Sequence, residues 1–254
     1  MQLIDTHTHL YLKDFKDDID DVIKKSIAAG VEHFYLPSIN SEHMEDMLAL
    51  EKLYPNNCFA MMGLHPCSIK SNYKEELKII EQWLKERKFS AVGEIGLDFY
   101  WDKTFTNQQY EAFHIQIEWA LTYDMPIVIH SRNATIETID VLKQYTSKDI
   151  RGIFHCFGGA IQEAEKIMEC GFMLGIGGVV TYKNAGLTET VQYIPIENIV
   201  LETDAPYLTP MPFRGKRNES SYLTYIADKI AQIKNIRVED VAEITTANAK
   251  KVFG

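Results

Sequence analysis

Leu3-Ile4-Asp5-Thr6-His7-Thr8-His9-Leu10 opens the chain as a short apolar run that passes into two histidines. Residues two apart on an extended strand project to the same side, so His7 and His9 aim at one point. Imidazole is the commonest metal ligand among side chains, which makes a His-x-His at a strand end half of a candidate cation site. Outward from this run the same pattern repeats. Apolar or β-branched stretches at residues 3–6, 33–37, 58–63, 90–94, 127–130, 152–155, 172–176 and 199–203 read as strands. Helical patterns at 17–29, 42–53, 74–87, 107–123, 134–145 and 161–170 lie between them, and two more at 221–233 and 238–253 close the chain.

Eight strand–helix units in 254 residues fit a closed, TIM-like (β/α)8 barrel occupying residues 1–254 as a single α/β domain. An open doubly wound sheet would more often carry a glycine-rich phosphate loop after its first strand, and none is present. Gly158-Gly159 and Gly175-Ile176-Gly177-Gly178 follow strands without opening a helix as G-x-G-x-x-G, so they read as tight turns. Gly30 and Gly171 stand just past two helical patterns, where a left-handed cap is wanted.

The composition is that of a globular protein: 46% hydrophobic and 24% charged, with a net charge of −10 that argues against non-specific coating of nucleic acid. Four cysteines, Cys58, Cys67, Cys156 and Cys170, lack paired C-x-x-C spacing and are too sparse for a disulfide scaffold. They read as reduced thiols of a cytoplasmic protein. No apolar run approaches the roughly 20 residues of a membrane helix, and neither a membrane nor an obligate protein partner is expected.

In a barrel of this type the active site forms at the carboxyl ends of the strands. Strand 1 ends in His7 and His9, strand 3 runs into His65, strand 4 into Glu94, strand 5 into His130, strand 6 into His155, and strand 8 into Glu202 and Asp204. His33, His43 and His114 fall elsewhere, so five of eight histidines sort to one rim. Imidazoles and carboxylates gathered in this way need a cation, because buried charge must be paired or must coordinate a metal. Glu94, with two oxygens, suits a bridge between ions. No lysine lies near a strand's carboxyl end to serve as a carboxylated bridge. Asp204 suits a ligand that also accepts a proton from water, while Glu202 better orients a ligand than acts as one. Asp5 and Asp98 are candidates for similar structural work.

With these residues in view, the chain resembles the TatD family of metal-dependent deoxyribonucleases, within the amidohydrolase-like barrels. The resemblance is carried by Asp5-Thr6-His7-Thr8-His9, Gly63-Leu64-His65-Pro66, Gly93-Glu94-Ile95-Gly96-Leu97-Asp98, Ile129-His130-Ser131-Arg132, His155-Cys156-Phe157-Gly158-Gly159, Leu201-Glu202-Thr203-Asp204-Ala205-Pro206-Tyr207 and Arg214-Gly215-Lys216-Arg217-Asn218-Glu219. It implies two divalent ions, zinc, manganese or magnesium. His7, His9, Glu94 and Asp204 would hold one, and Glu94, His130 and His155 the other. It also implies hydrolysis of DNA phosphodiesters from a 3′ or single-stranded end, with Glu94, Asp204 and His65 catalytic. His65 would contact the phosphate from beyond the ligand set. Arg132, Arg214 and Tyr207 would bind substrate, with Lys216, Arg217 and Phe213 as further candidates. One departure is visible: Ser220-Ser221-Tyr222 follows Glu219 where the family often has Pro-Ala-Tyr. Two rival readings are an amidohydrolase or phosphoesterase acting on a small molecule, and an idle barrel serving as a scaffold. The complete ligand set disfavours the second.

Overall fold

The computed structural model describes all 254 residues, Met1–Gly254. Eight parallel strands are present: β1 Leu3–Asp5, β2 Val31–Pro37, β3 Cys58–Met61, β4 Val92–Asp98, β5 Ile127–Arg132, β6 Gly152–Phe154, β7 Phe172–Ile176 and β8 Ile199–Leu201. Nine helices follow and surround them: α1 Ile19–Ala28, α2 Met44–Leu53, α3 Tyr73–Glu86, α4 Thr106–Thr122, α5 Thr135–Lys143, α6 Ile161–Glu169, α7 Leu187–Tyr193, α8 Leu223–Lys234 and α9 Val238–Phe253. β1 to β3 form one ladder and β4 to β8 another. Met62 N donates to Ala91 O and Gly93 N to Met62 O across the β3–β4 seam, while Thr6 N donates to Leu201 O across the β1–β8 seam. The sheet is thereby closed into the expected barrel. No helix is long and apolar enough to cross a membrane, and all four cysteines are free.

Side chains alternate along each strand between lumen and helix layer. One residue from or beside each strand, Ile4, Tyr35, Met61, Ala91, Val128, Ile153, Met173 and Val200, packs into a single apolar lumen layer, and Ala249 and Val252 of α9 join it. The last helix therefore plugs the amino-terminal end of the barrel. A separate, larger apolar shell fills the space between strands and helices. With one end sealed by hydrocarbon, chemistry is left to the other.

Two residues further along the strands the lumen holds His130, His155 and Glu202 beside Gly63, Gly93 and Gly175. The glycines make the room. A Cβ on Gly175 would lie 2.3 Å from Glu202 Oε2, and one on Gly93 would lie 2.8 Å from the Val128 side chain. Gly175 is thus part of β7, not of a turn, and is glycine because Glu202 occupies the space in front of it. Gly30 and Gly171 are left-handed, at φ 94° and 84°, as helix caps.

Strand and helix bounds shift by a residue or two, and two larger differences from the sequence reading stand out. β4 runs on to Asp98, four residues past Glu94, because Gly93 and Gly96 lower its apparent strand propensity while standing where a neighbour comes close. A Cβ on Gly96 would meet His130 O at 2.1 Å. Asp98 consequently ends a strand. Helix α7 has no counterpart among the helical patterns read from the sequence; seven residues including Thr188, Thr190 and Val191 give it weak propensity, and its buried Leu187, Thr190 and Val191 hold it by packing.

Candidate metal centre

The β1–β8 seam continues past the strands and fixes one side of the site. Asp204 N donates to His7 O (2.9 Å) and His9 N donates to Ala205 O (2.8 Å), so the two histidines and the aspartate are in register. Asp5, fully buried, accepts from Thr203 N (2.9 Å) and Thr203 Oγ1 (2.6 Å) and pins the same crossing. Asp204 itself is left-handed, at φ 56°, a conformation that aspartate tolerates better than most residues. Ser220 Oγ lies 3.4 Å from Thr8 Oγ1 against this seam, while Ser221 Oγ donates to Glu219 (2.5 Å), so neither serine that departs from the family pattern bonds to a candidate ligand.

The opposite side is held by α4. Two buried glutamines seven residues apart, two helical turns, clamp the backbone that carries site residues. Gln116 Oε1 accepts from Leu64 N (2.7 Å) and its Nε2 donates to Leu64 O (3.3 Å), just before His65. Gln109 Oε1 accepts from Asp98 N (2.9 Å) and its Nε2 donates to Asp98 O (3.1 Å). Neither glutamine stood out in the sequence; their signal was a polar residue on the apolar face of a helix.

Glu94 lies at the centre. The ladder between β4 and β5 slips between Gly93 and Ile95, and such an irregularity re-aims a side chain. Its two oxygens divide the imidazoles. Oε2 is 3.1 Å from His7 Nε2 and 3.7 Å from His9 Nε2, while Oε1 is 2.8 Å from His130 Nδ1, 3.2 Å from His155 Nε2 and 3.3 Å from His65 Nε2. Asp204 Oδ1 completes the first group, at 3.8 Å from His7 and 3.7 Å from His9.

Two further carboxylates bracket the Oε1 group from outside. Asp98 Oδ2 is 2.9 Å from His130 Nε2, and Glu202 Oε1 is 3.1 Å from His155 Nδ1 and accepts from Cys156 N at 2.6 Å. An outer carboxylate that takes the proton of one ring nitrogen leaves the other nitrogen's lone pair for a cation. Glu202 thereby holds one ring nitrogen of His155, and Asp98 does the same for His130. On the first group Tyr11 plays the equivalent part: its hydroxyl donates to Pro37 O (2.5 Å) and lies 3.0 Å from His9 Nδ1. Nothing in the sequence marked Tyr11.

Burial would push the Glu94 carboxyl up, but the imidazoles of His155, His65 and His7 and the hydrogen bond to His130 outweigh it and hold it well below the usual carboxylate range. Desolvation lowers His7 to about 4, so its ring is neutral at neutral pH. Asp204 is pushed up to about 8 by burial, with Glu94 and Glu202 adding to the effect. His130 and His155 are both raised because their flanking carboxylates overcome desolvation.

The donor set fits divalent cations. Both ring nitrogens of His7 are buried without a hydrogen-bond partner, the one near Glu94 being misaligned for a bond. Unpartnered buried polar atoms are costly, and a cation coordinated by His7 Nε2, His9 and Glu94 would relieve that cost at Nε2. Ligand atoms of His7, His9 and Glu94, of His7, His155 and Asp204, and of His65, Glu94 and His130 each cluster closely enough to share an ion. His65 Nε2 thus lies in the same cluster of candidate donor atoms as Glu94 and His130.

The outlying candidates separate. Arg132 is exposed at the end of β5, its guanidinium stacked 3.9 Å from the Tyr100 ring, and it forms no ion pair. Arg214 is exposed and lies 4.5 Å over Tyr182. Tyr207 is half exposed beside His9, with 6.2 Å between ring centroids. Phe213 instead stacks on Tyr222 (4.4 Å), and Arg217 is a strut, donating to both Asp18 oxygens and to Asp14 O.

A family model described as TatD related DNase matches residues 4–254. The chain is 38% identical over 252 residues to an uncharacterized metal-dependent hydrolase, YabD, of Bacillus subtilis (strain 168), covering 99% of this chain and 98% of that protein. It is 32% identical over 260 residues to an uncharacterized metal-dependent hydrolase, TatD, of Mycobacterium tuberculosis (strain ATCC 25618 / H37Rv), with 99% and 98% covered. Among solved structures, YjjV, a TatD homologue from Escherichia coli K12, superposes with a TM-score of 0.93 at 28% identity, covering 99% of this chain and 97% of that one.

Proposed function

The chain belongs to the TatD family of metal-dependent hydrolases, and from that premise we propose that it hydrolyses phosphodiester bonds in DNA, removing nucleotides from a single-stranded 3′ end. His7, His9, Glu94 and Asp204 would hold one divalent ion, zinc, manganese or magnesium, and Glu94, His130 and His155 would hold a second, with His65 beside that group. Such cations supply Lewis acidity that polarises a phosphoryl oxygen and makes water a better nucleophile at neutral pH.

The remaining work falls to the chain's own groups. Asp204, whose carboxyl is partly exposed beside His7 and His9, takes the proton from the attacking water. Arg132 and Arg214 hold flanking phosphates, since a guanidinium presents paired N–H donors in the plane that a phosphate occupies. Tyr207 lines the approach beside His9. The observation that carries the phosphate reading is Arg132, a cation with no carboxylate partner two residues beyond His130 on the same strand.

The test is release of mononucleotides from end-labelled single-stranded DNA with Mg²⁺ or Mn²⁺, compared with a Glu94→Ala variant. Loss of activity in the variant and in excess chelator supports the reading. Equal activity in either, or strong turnover of an amide or small phosphoester with none on DNA, overturns it.

A further inference from the structure

The loop after β4 carries two aromatic residues that the fold does not use. Trp101 is 68% exposed and Tyr100 is 51% exposed, and their rings meet edge to face at 4.8 Å. Large aromatics left this open on a rim call for an explanation, because an exposed indole gives up the area it would otherwise bury. Their place is fixed by the metal centre itself. Asp98 Oδ1 accepts from Tyr100 N (2.9 Å) and Trp101 N (3.1 Å), while its Oδ2 holds His130. One carboxylate thus sets both a cation ligand and the aromatic pair, and the Lys70–Asp102 ion pair at 2.8 Å braces the next residue of the loop.

Arg132 joins the pair to the site. Its guanidinium lies 3.9 Å from the Tyr100 ring and 5.2 Å from the Trp101 ring. A guanidinium stacked by its face keeps its in-plane N–H donors free for an anion. The rim therefore presents, side by side, an anion clamp and an open aromatic face, held by one aspartate at a fixed relation to His130.

We propose that Trp101, backed by Tyr100 and Arg132, is a nucleobase-stacking subsite that seats an unpaired base next to the phosphate being cleaved. The assignment rests on the DNA reading above and extends it from phosphate to base. Stacking on an aromatic face tolerates any base but requires that the base be out of a duplex, so the subsite selects single strands through Trp101. Trp83 and Trp119 lie half buried on α3 and α4, which leaves Trp101 as the tryptophan able to report an arriving base.

The experiment titrates tryptophan fluorescence of the chelator-treated protein with a 12-residue oligothymidylate and with an abasic deoxyribose-phosphate chain of equal length. Saturable quenching by the first and not the second, lost in Trp101→Phe, is expected; no quenching, or equal quenching by both, overturns the subsite. In the metal-supplemented assay Trp101→Ala should raise KM for single-stranded DNA roughly tenfold, the scale of one lost base–aromatic stack, with kcat largely kept. Trp101→Phe should restore KM. A KM for Trp101→Ala within twofold of the parent overturns the proposal. Absence of any DNA hydrolysis by the parent protein would instead count against the nuclease reading, which the binding titration does not use.

Discussion

Replacing Asp98 by asparagine should damage the metal centre far more than replacing Glu202 by glutamine, although each change removes one buried negative charge beside a histidine. In Asp98, Oδ1 already accepts from the two backbone N–H groups of Tyr100 and Trp101. An asparagine keeps its oxygen there and turns its NH₂ toward His130 Nε2, 2.9 Å away. Two donors then face each other, so His130 moves its proton to Nδ1, the nitrogen that faces Glu94 at 2.8 Å. The lone pair needed by a cation disappears. Glu202 differs because one oxygen, Oε1, takes both His155 Nδ1 and Cys156 N, and its Oε2 has no partner. A glutamine keeps both contacts and the His155 tautomer. Loss of an outer carboxylate costs about 10- to 100-fold in metal affinity, or about 1.4–2.7 kcal/mol. We expect that loss for Asp98→Asn and a change within about fivefold for Glu202→Gln, the weight of about 1 kcal/mol. Competition titrations with a chromophoric chelator measure the affinities, and ¹⁵N shifts of His130 read the tautomer. Equal losses in the two variants, or a larger loss in Glu202→Gln, would refute the tautomer argument.

The pH dependence of the metal-free protein has a definite sign. Asp5 is raised to about 7, chiefly by burial, and Asp204 to about 8, while His130 and His155 are raised by their carboxylates. A group whose proton affinity is higher in the folded state loses its contribution as pH rises through the folded value. The depressed histidines His7, His9 and His65 gain stability only up to their ordinary 6.5, so between pH 6.5 and 8 the net trend is downward. Tm in chelator should fall over that window and the fall should shrink with saturating divalent metal; a flat or rising Tm in chelator would show the assignment wrong. Gly175→Ala places a methyl 2.3 Å from Glu202 Oε2, and overpacking of about 1–3 kcal/mol should appear in denaturant melts together with weakened metal binding. Val252→Ala trims the plug at the far end of the lumen; it should cost about 1–3 kcal/mol of stability and leave metal affinity as it was.

The barrel was legible because its strands end in chemistry. His7, His9, His155, Glu202 and Asp204 stand just past the ends of their strands and His130 two residues before the end of β5, so the reading of strand ends and the reading of the site were one inference. What the sequence hid has physical causes. Gly93 and Gly96 interrupt the apolar run of β4 because neighbouring backbone needs the space, and this concealed Asp98 as a strand residue. α7 is too short and too rich in β-branched residues to announce itself by propensity. Tyr11, Gln109 and Gln116 each act through two or more hydrogen bonds to ring or backbone atoms, contacts that leave no period in a sequence. The distance from His65 Nε2 to Glu94, as short as that of His155, was likewise not visible in the sequence.

The division of the imidazoles by the two oxygens of Glu94 is the central claim, and counting bound ions tests it most directly. Equilibrium dialysis against Mn²⁺ or Zn²⁺ with elemental analysis should give two ions per chain in the parent protein. One should remain when His7 and His9 are both changed to alanine, with the fold intact by circular dichroism. A single ion in the parent, or two retained in the folded double variant, would contradict a centre built on Glu94 as a bridge.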